Sequence, residues 1–506
     1  MTNFINWFNQ LSEEDQKYRL RHLPEILLDG KDYTELCKLL SDYEFITTKI
    51  NHPLFGVQAL IEDYDLLQDE ARTLVETFHG TSLHSNSNTT ISSLKKIQGA
   101  LRLSAHIINR DSQQLPAQLT GRLLHFHTPE INNLLQQIST DQGLRCLTPS
   151  LTPPGSPLIR TLEGHTCSVI TIAVTPDGKT VISGSNDETI KIWDLVTGTE
   201  KFTLKGHSSW VNAIALTPDG KTVISGSWDN TIKIWDLETG EEKFTLKGHS
   251  SWVTAIAVTP DGKTVISGSD DTTIKIWDLE TGEEKLTFKG HSDWVTAIAL
   301  TPDGKTVISG SLDTTIKIWD LETGEEKLTF KGHSSWVTAI AVTPDGKTVI
   351  SGSWDNTIKI WDLETGEEKL TFKGHSSWVN AIAVTPDGKT VISGSDDTTI
   401  KIWDLETGEE KLTFKGHSDW VNAIALTPDG KTVISGSRDT TIKIWDLETG
   451  EEKFTFEGHT YSVRTIAVTP DGKTVISGSD DTTIKIWDLE TGEEKFTLKG
   501  HSNWVR

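Results

Sequence analysis

The sequence predicts a multidomain α+β chain in which an all-α domain precedes an all-β domain. Three observations support this prediction. Apolar side chains recur at helical spacing through residues 1–143, four prolines interrupt every periodicity between 147 and 158, and a 42-residue unit repeats from residue 158 onward. We therefore divide the chain into an α-helical arm domain (1–146), a Pro-rich linker (147–157) and a repeat domain (158–506) of eight full units and a partial ninth.

The helical domain begins with two capping signals. Ser12-x-x-Asp15 precedes an amphipathic run that ends at Gly30, and Asp32-x-x-Glu35 precedes the next run. The polar tract SLHSNSNTT (82–90) predicts a loop within this domain. Further helical patterns cover roughly 54–68, 91–109, 114–125 and 128–139.

Each repeat unit is predicted to form four strands. In the second unit WVNAIALTP leads into the turn PDGK, and TVISGS, TIKIWDL and KFTLK follow, separated by a turn at Asp229 and by ETGEE. A Gly-His dipeptide opens nine units, but the Trp-Asp dipeptide of the third strand occurs in only eight. Because each four-stranded sheet has two faces to bury, we expect the sheets to pack against one another in a closed ring.

These dipeptides and their spacing resemble the WD40 β-propeller family over about two-thirds of the chain. The resemblance implies an eight-bladed propeller. It also implies that His207, Ser225 (or Ser227), Asp229 and Trp235 form a buried hydrogen-bonded tetrad, repeated in each blade. The same residues could be taken as a Ser-His-Asp catalytic triad, but eight copies of a triad have no plausible catalytic use.

A second period of 126 residues runs through the repeats. Residues 206–331 and 332–457 differ at only nine aligned positions, which indicates a duplicated block of three units. By resemblance, the variable positions and the Trp after each Gly-His lie on the top face, where WD40 proteins usually bind partners. We expect partner binding there, with packing of the rings between neighbouring blades as the alternative. The predicted partner-binding residues are Trp210, Trp228, Trp252, Trp294, Trp336, Trp354, Trp378, Trp420, Arg438, Arg464, Asp270 and Asp396.

The first and last full units have Ser168 and Ser462 in place of that Trp, so the aromatic arc has a gap where the ring closes. Arg438 and Arg464 border this gap in the predicted ring and are candidates to hold an anionic group.

Two other recurring tracts are interpreted as turns. DGKT ends like a phosphate-binding loop, but Ala257 and its equivalents replace the leading glycine that such a loop needs. LETGEE forms either an acidic docking ring or an ordinary solvated rim, and we favour the rim.

The segment from 18 to 50 resembles the helical arm of the apoptotic protease-activating factor family, in which an NTPase module with a P-loop precedes the arm. The resemblance is carried by Tyr18, Leu23, Pro24, Leu27, Leu28, Glu35, Leu36, Leu39, Leu40, Asp42, Phe45 and Lys49. DYDL (63–66) and QLTGRLL (118–124) extend it to bacterial signal-transducing NTPases. No P-loop occurs in this sequence, so the resemblance implies only the ligand-sensing part of such a switch.

Composition limits the remaining function classes. A net charge of −24 argues against binding to nucleic acid or anionic membranes. The N-terminus has no signal-peptide pattern, no apolar run approaches 18 residues, and Cys37, Cys146 and Cys167 lack metal-ligand spacing. We expect a cytoplasmic protein without cofactor, metal or catalytic residues.

Together these features predict a non-enzymatic interaction and sensor scaffold that binds a protein partner, with a separately encoded NTPase as a candidate. The alternatives are an enzyme with a hydrolase or lyase site in the central channel, and a decayed fragment of a signalling NTPase.

The ends of the repeat domain offer two strands for one position. LIRTLE (158–163) precedes the first blade, and KFTLKG (495–500) follows the last, so nine candidate fourth strands compete for eight blades. We expect 158–163 to close the ring and 494–506 to be displaced. The opposite choice would free the linker and leave GHSNWVR (500–506) unpaired.

Overall fold

The computed structural model describes residues 4–69, 84–138, 151, 153–154 and 158–490, with the backbone alone at 67–69 and 84–89. The chain divides into two compact units, and the division falls between Thr161 and Leu162. The predicted linker lies almost entirely outside the described residues. Within these ranges, no helix is long and apolar enough to cross a membrane.

The first unit is helical, as predicted. Its described part contains eight α-helices and a short 3₁₀ turn at Ser112–Gln114. The helices are α1 (Phe4–Phe8), α2 (Glu13–Asp29), α3 (Tyr33–Leu40), α4 (Tyr43–Asn51), α5 (Gly56–Asp69), α6 (His84–Ile108), α7 (Leu115–Leu123) and α8 (Pro129–Gln137).

Both predicted capping signals are confirmed. The backbone N–H of Asp15 donates to the Ser12 hydroxyl at 3.2 Å, and the N–H of Glu35 donates to Asp32 at 3.2 Å. The helices pack around one apolar core, which includes Leu36, Leu40 and Phe45 from the segment 18–50. The same segment contributes Lys49, whose ammonium group forms a buried ion pair with Asp63 at 2.5 Å. Burial, only partly offset by Lys49, raises the pKa of Asp63 to about 7.

The predicted loop at 82–90 is wrong where the structure describes it, because the backbone of 84–90 belongs to α6. Ser, Asn and Thr compete with helix hydrogen bonds and therefore gave a loop signal. Tertiary contacts favour the helix instead. Thr90 donates to Glu130 at 2.6 Å, and Ser93 donates to Thr128 at 2.7 Å, which joins the start of α6 to the start of α8.

Residues 158–490 form an eight-bladed propeller, as predicted, in which each blade is a four-stranded antiparallel sheet. Blade 1 comprises β2 (Val169–Val174), β3 (Thr180–Ser185), β4 (Thr189–Asp194) and β5 (Glu200–Lys205). Blade 2 comprises β6 (Val211–Leu216), β7 (Thr222–Ser227), β8 (Thr231–Asp236) and β9 (Glu242–Lys247). Blade 3 comprises β10 (Val253–Val258), β11 (Thr264–Ser269), β12 (Thr273–Asp278) and β13 (Glu284–Lys289). Blade 4 comprises β14 (Val295–Leu300), β15 (Thr306–Ser311), β16 (Thr315–Asp320) and β17 (Glu326–Lys331).

The remaining blades repeat this order. Blade 5 comprises β18 (Val337–Val342), β19 (Thr348–Ser353), β20 (Thr357–Asp362) and β21 (Glu368–Lys373). Blade 6 comprises β22 (Val379–Val384), β23 (Thr390–Ser395), β24 (Thr399–Asp404) and β25 (Glu410–Lys415). Blade 7 comprises β26 (Val421–Leu426), β27 (Thr432–Ser437), β28 (Ile442–Asp446) and β29 (Glu452–Phe456). Blade 8 comprises β30 (Val463–Val468), β31 (Thr474–Ser479), β32 (Thr483–Asp488) and β1 (Leu158–Glu163).

The ring therefore closes through β1, which pairs with β32 as the fourth strand of blade 8. This confirms the expected closure by 158–163. The competing segment at 494–506 lies outside the described residues. Leu162 of β1 is buried, as is Leu204 at the equivalent position of blade 1.

Neighbouring blades pack through apolar faces. Trp235 of blade 2 belongs to the same buried cluster as Ile190 and Leu204 of blade 1, so the third-strand Trp faces the preceding blade. The first strands line the central channel. Because the strands are antiparallel, the loops that enter each first strand and the turns between second and third strands share one edge, which we call the top face.

Candidate functional site

The top face carries six exposed tryptophan rings, one on the entry loop of each blade from 2 to 7. These rings are 36–43% exposed: Trp210, Trp252, Trp294, Trp336, Trp378 and Trp420. In each blade the backbone carbonyl of this Trp accepts from the residue that precedes the turn Asp, for example from the N–H of Trp228 to Trp210 at 3.0 Å. The entry loop and the turn are therefore held side by side, and their side chains meet.

The first three-blade block forms a continuous tryptophan cluster. Trp228 lies between Trp210 and Trp252, with ring centroids 4.3 Å and 4.0 Å away, and Trp252 approaches Trp294 at 6.1 Å with the planes tilted by 60°. Both faces of Trp228 are thus covered, so this ring supports its neighbours across the boundary between blades 2 and 3. Packing between blades, the alternative considered for the sequence, describes Trp228 better than an open binding ring does.

The second block repeats the cluster in blades 5 to 7. Trp354 stacks on Trp378 at 3.7 Å with nearly parallel planes, and it contacts Trp336 at 4.3 Å. Trp378 and Trp420 are 6.5 Å apart. The cluster ends with the guanidinium of Arg438, which lies over the Trp420 ring at 4.5 Å.

Two equivalent aspartates differ between the blocks. Asp270 is buried, and neither of its carboxylate oxygens has a hydrogen-bond donor in the described part of the chain. Burial, with the nearby charges of Asp271 and Asp293, raises the pKa of Asp270 to about 6. Asp396 instead accepts from the side-chain amide of Asn380 at 2.5 Å. Burial still raises the pKa of Asp396, but Asn380 opposes that increase.

The two arginines each lie beside a carboxylate. Arg464 makes a bidentate ion pair with Asp480, with its Nε 3.0 Å and 2.9 Å from the two oxygens. Arg438 lies 3.8 Å from Asp419. This arrangement argues against the expected anion site at the ring closure, because acidic neighbours already balance both positive charges.

The tetrad residues of blade 2 form a continuous hydrogen-bonded chain. His207 places Nδ1 2.8 Å from Asp229 and Nε2 2.8 Å from Ser225, and the indole N–H of Trp235 donates to Ser225 at 2.9 Å. Ser227 instead accepts from the N–H of Asp229 at 3.1 Å and stabilises the turn. All eight blades contain the same chain.

Hydrogen bonding controls the charge of the tetrad aspartate. Burial alone would raise the pKa of Asp229, but His207, Thr231 and the N–H of Ser208 hold it well below its usual value. The Ser225 hydroxyl is fully buried, so no substrate can reach it in this arrangement. These groups therefore stabilise the blade.

The WD domain, G-beta repeat family matches this chain in eight segments that together cover more than half of it. The matched segments are 156–194, 198–236, 240–278, 282–320, 324–362, 366–404, 408–446 and 450–488. The chain belongs to the WD40-repeat family. The crystal structure of the computationally designed Ika8 protein is similar to this WD40 chain, with 37% identity and a TM-score of 0.60 over 65% of this chain and 98% of that protein.

Curated relatives match short stretches of this chain. Vegetative incompatibility protein HET-E-1 of Podospora anserina is 58% identical over 40 residues, 8% of this chain and 3% of that protein. Transcriptional repressor rco-1 of Neurospora crassa is 47% identical over 51 residues, 10% of this chain and 8% of that protein. The matches span less than a tenth of these relatives' own length. WD40 propellers generally act as interaction scaffolds or regulators.

The central channel of this WD40 ring has a volume of about 460 Å³. Apart from Arg464, the side chains that line it are those of Ile, Ala, Thr and Asn. No group of three or more His, Cys, Asp or Glu side chains within the described ranges could hold a metal ion.

The sequence did not reveal the polar partners beneath the tryptophans. Asn380 replaces Thr254 at one of the nine positions that distinguish the two blocks, and only the Asn reaches the aspartate. Thr254 instead donates to the backbone carbonyls of Gly268 and Val295. A block-to-block comparison identifies this position as variable, but the contact itself requires the folded geometry.

Proposed function

We propose that this chain is a non-enzymatic interaction protein whose top face binds a protein partner. The single observation that carries the proposal is the concentration of six exposed tryptophan rings on one edge of the propeller. Exposed aromatic groups of this size are uncommon on monomeric surfaces and are enriched at the centres of protein interfaces. Acidic and basic side chains lie among the rings, as in a typical interface.

The lining of the channel supports a non-enzymatic role. Hydrolysis or elimination needs a general acid or base in reach of the substrate, and the described channel wall offers Arg464 as its titratable side chain. The His, Ser and Asp groups that could serve as a triad are held in the buried tetrads.

We further propose that the propeller is the sensing part of a signal-transducing NTPase system in which the arm positions it. The resemblance of residues 18–50 to the signalling arm supports this. Several residues that carry the resemblance, including Leu36, Leu40 and Phe45, are fully buried. These shared residues therefore belong to the apolar core of the helical domain. Co-purification of the chain with a separately encoded P-loop protein tests this part of the proposal.

Affinity capture with matched variants tests the top face. Trp228→Ala/Trp354→Ala removes the central ring of each cluster, and Glu238→Ala/Glu364→Ala changes exposed turns on the opposite edge of the same two blades. Trp228 and Trp354 hold the exposed rings on either side of them in place, so their removal should disturb the binding surface. We expect the tryptophan variant to bind, at least tenfold more weakly, the partners that the glutamate variant retains, since loss of one interface hot spot typically costs about 2 kcal/mol.

Equal capture by all three proteins would contradict a top-face site. Loss with the glutamate variant alone would move the site to the acidic rim. If the intact chain captures no partner reproducibly, the decayed-fragment alternative is favoured.

A further inference from the structure

The duplicated blocks differ at the end of each tryptophan cluster. In blade 7 the Arg438 guanidinium lies over Trp420 at 4.5 Å and 3.8 Å from Asp419. Blade 4 has the same Trp and Asp, as Trp294 and Asp293, but Leu312 replaces the arginine. Blade 7 therefore shows which chemical group fits this ring and carboxylate, and blade 4 lacks that group.

Blade 4, which has no arginine at this position, also lies beside an aspartate without a hydrogen-bond donor in the described part of the chain. The Trp294 ring of blade 4 lies 6.1 Å from the Trp252 ring, and the backbone carbonyl of Trp252 accepts from the N–H of the buried Asp270 at 2.9 Å. The two carboxylate oxygens of Asp270 have no donor among the described residues, and the charge of Asp293 is near enough to act on them. In the other block Asn380 satisfies the equivalent Asp396, and Arg438 lies close enough to favour its ionised form. Within the part of the chain that the structure describes, the buried Asp270 carboxylate of the first block therefore has neither an amide donor nor a cation.

We propose that Trp294, Asp293 and Asp270 form a recognition site for an arginine side chain of the partner protein. The guanidinium would stack on Trp294 as Arg438 stacks on Trp420, and it would pair with Asp293 within the field of Asp270. The net charge of −24 also favours a basic partner segment. This inference rests on the proposed top-face function and specifies the chemistry of one contact.

The second block is expected to be closed to the same ligand. Arg438 already occupies the Trp420 ring, so the chain supplies the cation itself there. One open site per chain follows, although the two blocks are nearly identical in sequence.

Calorimetric titration of the full chain with acetyl-Gly-Gly-Arg-Gly-Gly-amide tests the site. The citrulline peptide of the same length and shape but without charge is the ligand control. We expect saturable binding of one arginine peptide per chain and affinity lower by about tenfold for the citrulline peptide. Equal affinity of the two peptides would overturn the proposal.

Two variants exploit the internal comparison. Leu312→Arg supplies the cation in cis and should abolish peptide binding, whereas Leu312→Met, of similar length but uncharged, should retain it. Arg438→Leu/Asn380→Thr introduces the first-block residues into the second block and should raise the stoichiometry from one peptide to two. Unchanged binding by Leu312→Arg, or unchanged stoichiometry in the double variant, would contradict the site.

Failure of this inference is distinguishable from failure of the proposed function. If peptide binding is absent but capture of partners still depends on Trp228 and Trp354, the top face binds a partner by other contacts. If capture is also independent of these rings, both proposals are wrong.

Discussion

Single aspartate residues in this propeller serve opposite purposes. Asp229 is held ionised by His207, Thr231 and a backbone N–H, so its charge contributes to the stability of the blade. Asp270 is buried without a donor in the described structure, so its charge opposes folding. Asp270 lowers the folding stability of the propeller at the face that carries the exposed tryptophan rings. Residues that lower stability are expected at binding sites, where function and stability make different demands.

Replacing Asp270 with Asn should therefore stabilise the protein at neutral pH. A carboxyl whose folded pKa is about 6 binds more protons folded than unfolded between about pH 4 and 6, so its contribution to stability falls as the pH rises through that range. The negative charges of Asp271 and Asp293, which lie near it, both raise the pKa of Asp270 further. We expect Asp270→Asn to increase the unfolding free energy by about 1 to 2 kcal/mol at pH 7.5, and by less at pH 4.5.

Urea unfolding at the two pH values measures this difference. Asp396→Asn is the matched control, and its effect should be smaller because Asn380 already donates to that carboxylate. Equal effects of the two substitutions, or a larger gain at pH 4.5, would contradict the assignment.

The blade as an element depends on close contact with its neighbour. Gly226 at the end of β7 faces Val253 and Ile256 of blade 3, and a Cβ added there would lie 2.6 Å and 2.8 Å from their side-chain carbons. The same Gly recurs in all eight full units as part of TVISGS, with equivalent short distances at Gly310 and Gly436. Packing between blades therefore requires the absence of a side chain at this point.

Gly226→Ala should destabilise the ring by about 2 kcal/mol, the typical cost of overpacking a rigid core. Val253 is fully buried, so it has little freedom to move away. The double variant Gly226→Ala/Val253→Ala removes the closest methyl group and should be less destabilising than the sum of the single changes. Thermal unfolding of the four proteins measures the coupling, and strictly additive effects would contradict a steric cause.

The elements could largely be predicted from the sequence because each repeat contains its own strand pattern and turns. The 42-residue period predicted eight blades. The family resemblance predicted that the serine of the tetrad is either Ser225 or Ser227. What remained open depends on side-chain positions in three dimensions. Stacking covers both faces of Trp228, and the Arg438 guanidinium lies over the Trp420 ring. Trp228 and Arg438 belong to turns, and the repeat period does not predict where the side chains of turn residues point. The start of α6 was missed because contacts with Glu130 and Thr128 outweigh a local loop signal.

At the scale of the whole molecule, the sequence offers two segments for the strand that closes the ring. β1 (Leu158–Glu163) occupies the fourth position of blade 8. The sequence EKFTLK at 494–499 is identical to β9, whereas β1 shares only Thr161 and Leu162 with that pattern at equivalent positions. The segment that matches the repeat pattern less well forms the closing strand, so the sequence contains a second segment whose pattern suits the same edge.

This redundancy predicts an unusual mutational response. Leu162→Asp places a charge at a buried position of β1, a change that normally costs about 4 kcal/mol or more. We expect a much smaller loss of stability here, because 494–499 can replace β1. The double variant Leu162→Asp/Leu498→Asp disables both segments and should show the full loss, whereas Leu498→Asp alone should have little effect. Leu204→Asp in β5 is the control for a fourth strand without a second copy. Thermal unfolding measures the stability of each of these proteins. If Leu162→Asp and the double variant Leu162→Asp/Leu498→Asp lose the same stability, β1 alone can close the ring and the prediction is wrong.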